Sequence, residues 1–240
     1  MPGWADRNMT LKQQAYQHIL QKLLHGDLRP GDRLSNRKLA QEIGISLIPV
    51  REATAQLASE GLAEHRPGVG SFVTSVSREE LADLYDFREA LECHAAARAA
   101  ERISTDDLTL MRQCNQRLFG IVDELEQTEE TRWTADRIRR WQDADIELHL
   151  TVFRGAGNRR ALETVQGLNI LTRLFAQRWT DMPAGDSGKG CADHADLIDA
   201  LEAGDAERAR AVAEKHIRQG CSDALAAYDQ RRMSEVGSTR

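Results

Sequence analysis

Apolar positions along the chain follow two regimes that change near residue 76. Before it, short stripes alternate with turn-rich stretches. Leu11, Ala15, Ile19 and Leu23 recur at helical spacing up to Gly26, Leu39, Ala40 and Ile43 make a shorter face that stops at Gly44, and Val50, Ala53, Leu57 and Ala58 trace a third helix. Residues 27–34 read as a turn-rich connector, and residues 61–74, with Pro67 and Gly68 at their centre, as two short strands around a tight turn. After residue 76 the stripes lengthen and no strand pattern returns. Leu81, Leu84, Tyr85, Leu91, Ala95 and Ala99 predict a helix from a Ser77 cap to about residue 102. Further helices are expected over about 108–125, 133–153, 158–180, 191–203 and 205–228, with residues 181–190 as a loop. The expected architecture is mostly α. A tail over 1–9 precedes a winged helix-turn-helix over 10–76, an all-α six-helix bundle fills 77–230, and 231–240 form a disordered tail.

The segment from Asn36 to Glu60 carries the most information. Gly44 supplies the positive-φ position that lets one helix stop and another leave steeply, Ser46 stands where a helix cap belongs, and Pro49 falls in the first turn, where a missing N–H costs least. In a helix-turn-helix the N-terminal end of the second helix enters the DNA major groove, which makes Ser46, Leu47, Ile48 and Arg51 candidate contacts. An ordinary αα-hairpin would share the same turn. The Pro/Gly hairpin that follows separates the two readings, because it has the form of a wing lying along a phosphate backbone and adds His65, Arg66, Gly68 and Gly70 to the candidates.

With these residues in view, positions 10–74 resemble the winged helix of GntR-family bacterial transcription regulators. The resemblance rests on a leucine-alanine helix, the segment Ser46-Leu47-Ile48-Pro49-Val50-Arg51-Glu52-Ala53 and a glycine wing, in that order. It implies binding to double-stranded DNA, with Arg37 and Arg51 against phosphates. One departure matters: many members carry arginine and threonine where this chain has Leu47 and Ile48. Leucine cannot donate a hydrogen bond to guanine or phosphate, though an apolar side chain can meet a thymine methyl.

Composition then sharpens the picture. The 240 residues, 41% of them hydrophobic, suffice for two modest cores, while the formal net charge of −6 argues at first against a nucleic-acid partner. Distribution resolves this. Residues 1–76 hold nine Lys/Arg against seven Asp/Glu, and the remainder 23 against 31, so a basic head precedes an acidic body. Cys93, Cys114, Cys191 and Cys221 are widely spaced, as reduced structural thiols would be. Neither a signal-peptide pattern nor a bilayer-length apolar run is present, so a cytoplasmic protein without membrane contact is expected.

The helical part holds the second candidate site. Asp145 and His149 are four apart on one predicted helix and therefore share a face, while His194 and His216 sit on two helices joined by the short Gly204-Asp205 turn. Three imidazoles and a carboxylate suit a divalent transition metal, zinc first, with nickel, iron, cobalt or manganese also possible. Surface or hydrogen-bonded core histidines are the alternative. Residues 81–228 resemble the FCD ligand-binding domain of the FadR branch of GntR regulators, in its six-helix, VanR-like form. The resemblance is carried by Arg88-x-x-Leu91-Glu92, Asp145-x-x-x-His149, Gly157-Asn158, the run from His194 to Asp205, and His216-Ile217. It implies that Asp145, His149, His194 and His216 ligate an ion, that a small carboxylate effector binds there, and that the protein is a homodimeric regulator, a repressor ahead of an activator. Arg88, Asn169 and Arg173 are candidate effector anchors, with an Arg88–Glu92 ion pair as the alternative for Arg88. Two rival functions are a metal-dependent hydrolase and a regulator whose metal is purely structural. For the first, Glu147 is offset to the wrong face to serve as base.

Overall fold

The computed structural model describes residues 9–24, 27–127, 133–165 and 187–237, and the chain forms two compact units that meet in sequence at Val76 and Ser77.

In the first unit α1 (Leu11–Leu24) buries Ala15, Ile19 and Leu23, while Leu11, the first member of the predicted stripe, is half exposed. Thr10 opens this helix with a reciprocal cap: its hydroxyl accepts from the Gln13 amide at 3.2 Å, and its own amide donates to the Gln13 side chain at 2.8 Å. α2 (Asn36–Ile43) is capped by Ser35 and closed by Gly44 at φ 78°, whose N–H returns to the Ala40 carbonyl. α3 (Leu47–Ser59) packs Val50, Ala53 and Leu57 inward, and Thr54 donates to Asn36 at 2.9 Å, tying α3 to α2. Ser46 holds the extended cap conformation, yet its side chain makes no capping hydrogen bond. The local shape expected of Ser46 is present without the bond.

β2 (Ala63–Arg66) and β3 (Gly70–Val73) form the predicted hairpin, in register Ala63 to Val73 and Arg66 to Gly70. A third strand, β1 (Arg33–Leu34), pairs antiparallel with β3, giving the order β1-β3-β2. Sequence reading placed those residues in a connector, since two residues are too few to display a period-two pattern. Gly26 and positions 1–8 of the expected tail lie outside the described residues.

The second unit holds six helices in the described chain. α4 (Arg78–Ala100) starts with a full capping box between Ser77 and Glu80. α5 (Thr105–Gln127) follows, and α6 (Ala135–Ala156) runs from a Thr134 cap to Gly157. Gly155, just past the expected helix end at 153, lies inside α6, where an added Cβ would stand 3.0 Å from Ile103. α7 is helical over 159–165 behind an Asn158 cap, and its expected continuation to 180 lies outside the described residues. α8 (Ser187–Glu202) and α9 (Ala206–Gly237) complete the unit.

Two boundaries differ from those read in sequence. α8 begins at Ser187, within the expected loop: Gly188 and Gly190 each lower helix propensity by about 1 kcal/mol, which makes the segment read as a loop, while Cys191 just beyond them is buried in the packed unit. α9 extends to Gly237 and so takes in residues assigned above to a tail. That segment is mostly polar, with Met233 and Val236 its only large apolar residues, and offers no stripe to read, but it continues a formed helix, and Arg78 of α4 pairs with Asp229 at 3.0 Å.

The main core gathers Ala96 and Ala99 of α4, Met111 of α5, Leu148, Val152 and Phe153 of α6, Leu201 of α8 and Ala209 and Ala213 of α9. A second cluster joins Leu118 and Leu125 to Trp133, Trp141 and Cys191. Together they fix the mutual rotation of α4, α6, α8 and α9, which decides what their polar residues meet.

A candidate metal centre and a candidate nucleic-acid interface

Asp145 and His149 project from one face of α6, His194 from the first half of α8, and His216 from the first half of α9. The Gly204-Asp205 turn sets the last two level with each other. Gly204 takes φ 68°, Asp205 donates its amide to the Ala200 carbonyl, and its carboxylate caps α9 at Arg208. One donor atom from each of the four residues lies within 4.8 Å of all the others. His194 Nε2 is 3.3 Å from His216 Nε2 and 3.6 Å from Asp145 Oδ1, and His149 Nε2 is 3.8 Å from the same oxygen. A tetrahedral ion with bonds of about 2.0–2.1 Å sets its ligands roughly 3.4 Å apart, so the spacing suits one ion.

The surroundings favour the same reading. His149 is buried, and its Nε2 has no hydrogen-bond partner among the described residues, a costly arrangement for a nitrogen aimed at other donors. Its other nitrogen, Nδ1, lies 2.6 Å from Glu92 Oε2, and Arg88 Nε donates to Glu92 Oε1 at 2.8 Å. All three side chains are buried, making a chain from guanidinium to carboxylate to imidazole. Metal-bound histidines commonly present their second nitrogen to a carboxylate in this way, which fixes ring orientation. His216 Nδ1 has a looser counterpart, 3.9 Å from Asp193, which also accepts from Lys215 at 2.6 Å. His194 differs, because its Nδ1 is buried without a partner among the described residues.

Charge follows geometry. Burial opposes ionisation of Glu92, but Arg88 and His149 overcome it and hold its carboxyl well below the usual range. Burial also opposes charging of His149, yet Glu92 and Asp145 leave its pKa raised. Burial, with His216 and His149 close by, pushes His194 well below the ordinary imidazole value, leaving it neutral as a ligand must be. Glu147, the carboxylate nearest in sequence, engages Arg154 at 2.8 Å and stands outside the cluster. Sequence reading missed that Glu92 faces His149. The 88/92 spacing announced an ion pair on α4 and carried no sign of a partner on α6.

Of the candidate effector anchors, Arg88 is buried in its pair with Glu92 and lies over the Tyr85 ring at 5.3 Å. Asn169 and Arg173 fall outside the described residues.

In the first unit Arg37, Ser46, Leu47, Ile48 and Arg51 are all exposed, Arg37 on α2 and the other four at the start of α3. On the wing His65, Arg66 and Gly68 are exposed and Gly70 is partly so. Arg66 stacks 4.4 Å over Phe72 and pairs with Glu64, which limits its reach. Arg33, absent from the candidates, donates to the Val69 carbonyl at 2.9 Å and steadies the wing tip.

The chain as a whole is similar to known proteins. Residues 83–219 match the FCD domain, and residues 11–73 match the bacterial regulatory proteins of the gntR family. A probable D-xylose utilization operon transcriptional repressor of Paenarthrobacter nicotinovorans is 29% identical, over 87% of this chain and 86% of its own. The transcriptional regulator McbR of Escherichia coli K12 is 27% identical over 77% of this chain and 75% of its own, and the repressor RspR of the same organism is 35% identical over 39% and 41%. Among solved structures, E. coli McbR/YncC superposes with a TM-score of 0.78, covering 92% of this chain and 99% of that one at 21% identity. A GntR regulator from Rhodococcus gives 0.72, covering 90% and 98% at 23% identity. Both likenesses support the fold.

Proposed function

The chain belongs to the GntR family of bacterial transcription regulators, with an FCD domain following its DNA-binding head, and on that premise we propose that it is a repressor controlled by a small organic acid bound at a divalent-metal centre. The observation that carries the reading is the convergence of Asp145, His149, His194 and His216 from three helices onto one point. These four residues would hold the ion, zinc first by donor type. An ion so held, with positions left open, supplies a Lewis-acidic anchor for a carboxylate or hydroxy-carboxylate. Glu92 orients His149, and Asp193 stands by His216. Repression is favoured by the names of two similar proteins, each called a repressor.

The protein acts as a homodimer whose two heads read two half-sites of a palindrome. Exposed Arg37 and Arg51 meet phosphates, with Ser46, Leu47 and Ile48 toward the bases and His65, Arg66, Gly68 and Gly70 along the backbone. Four residues, 74–77, separate β3 from α4, so a change in how the helical units associate has a short path to the heads. No helix among the described residues is long and apolar enough to cross a membrane.

Elemental analysis of protein purified without chelator or tag metal, paired with His194→Ala, tests the site. About one transition-metal ion per chain, lost in the variant while the helical signal remains, is the expected result. No metal in either would overturn the metal-centre reading and leave DNA binding standing. A purely structural ion is the second reading, favoured by the commitment of Arg88 to Glu92. It predicts that metal raises the melting temperature while small carboxylates leave operator affinity unchanged. A hydrolase is set aside, since both matched families are those of regulators.

A further inference from the structure

The first turn of α3 holds two large apolar side chains in the open. Leu47 is 40% exposed and Ile48 68%, although the adjoining Pro49 and Val50 are buried. Core positions are therefore filled by the other face of the helix, and these two lie outside it by register. Leu47 stands one turn before exposed Arg51 on the same face. The end of the helix that enters the major groove thus carries two purely apolar side chains after the polar Ser46, with Arg51 and Glu52 exposed one turn on.

We propose that Leu47 and Ile48 read thymine, each packing against a 5-methyl group, so that every operator half-site places T·A pairs at the two positions they face. The proposal rests on the DNA-reading function above and narrows what is read. Neither side chain donates or accepts a hydrogen bond. Set against guanine O6/N7, adenine N6/N7 or cytosine N4, either would displace water and leave the base edge unpaired, which is costly. Among the four bases, the apolar group in the major groove is the thymine methyl. Arg51, whose guanidinium matches phosphate or guanine, supplies the polar contact beside them. Apolar side chains left in water gain free energy when covered, and a methyl contact covers them without a buried polar mismatch.

The test uses the full-length protein and duplexes selected by it from a random-sequence pool. The selected duplex is then remade with deoxyuridine in place of thymidine at one position at a time, a change that removes the methyl and keeps every hydrogen-bonding group. Two positions per half-site are expected at which wild-type affinity falls about fourfold, the equivalent of roughly 0.8 kcal/mol for one buried methyl-sized group. Leu47→Ala should abolish the loss at one position and Ile48→Ala at the other. Both are exposed sites where alanine is a good helix former, and a circular dichroism spectrum and melting temperature matching wild type confirm that each variant is folded. Equal affinity for thymine and uracil duplexes, or the same loss in the variants as in wild type, would overturn the proposal. Failure to select any duplex would overturn the DNA-reading function itself, a distinct result.

Discussion

Glu92 joins two side chains that the sequence presented as unrelated. It pairs with Arg88 at 2.8 Å and with His149 at 2.6 Å, all in the buried interior. Removing its charge therefore acts twice. Glu92→Gln should weaken metal binding about 10- to 100-fold, read by competition with a chelator, because His149 loses the group that orients it. The same variant should destabilise the metal-free protein by roughly 3–5 kcal/mol in urea unfolding, because Arg88 is left buried and unpaired. Adding Arg88→Met should recover most of that loss, and no recovery would mean that Glu92 acts through packing alone. Arg51→Ala, by contrast, should weaken operator binding and leave metal content untouched; equal loss of both would signal a broken fold. Residue identity made Asp145, His149, His194 and His216 legible, since few residue types bind transition metals. The Glu92–His149 contact was not, because it depends on the rotation of α4 against α6, set by the small residues Ala95, Ala96 and Ala99 and the side chains they admit.

At the level of elements, helices whose ends carry polar caps were legible, and those whose ends do not were misplaced. Ser77 announced α4, and the structure has both bonds of its capping box with Glu80. Ser77→Ala should lower stability by about 1 kcal/mol in thermal unfolding followed by circular dichroism. That cap carries a pH dependence whose sign is fixed. The backbone amide and hydroxyl of Ser77 hold the Glu80 carboxyl below its ordinary value of 4.5. Its contribution is therefore fully present above that value and is lost as pH falls through the lower folded value; because the main donor is the Ser77 backbone amide, the stability difference made by Glu80→Ala should shrink in acid and stay constant toward neutrality. A difference that grew in acid would contradict the assignment. Gly44 is the other position where local chemistry decides an element. At φ 78° an alanine is strained by about 1–2 kcal/mol, so Gly44→Ala should loosen the α2–α3 turn and weaken DNA binding at sub-stoichiometric protein. By comparison β1, the start of α8 and the end of α9 rest on pairing, burial or continuation, none of which leaves a mark in local sequence.

Across the whole molecule, charge is partitioned between a head with nine basic and seven acidic residues and a body with 23 and 31. Binding carried by a weakly basic head should still follow counterion release. Raising salt from 50 to 200 mM should lower operator affinity by about 10³- to 10⁵-fold if 6–10 phosphates are contacted, as the slope of log affinity against log salt will reveal. A flat slope would mean that base contacts dominate. The turn at Gly204 and Asp205 has a consequence of another kind. His194 and His216 are 22 residues apart and face each other only because each lies a fixed number of residues from that turn. One residue added to either helix would swing its imidazole about 100° around the axis. Length is thus frozen across this interval while its exposed positions remain free to vary, so chains of this architecture that keep the two histidines should keep their separation. An insertion scan across it should silence metal binding at nearly every position, where a substitution scan would silence few.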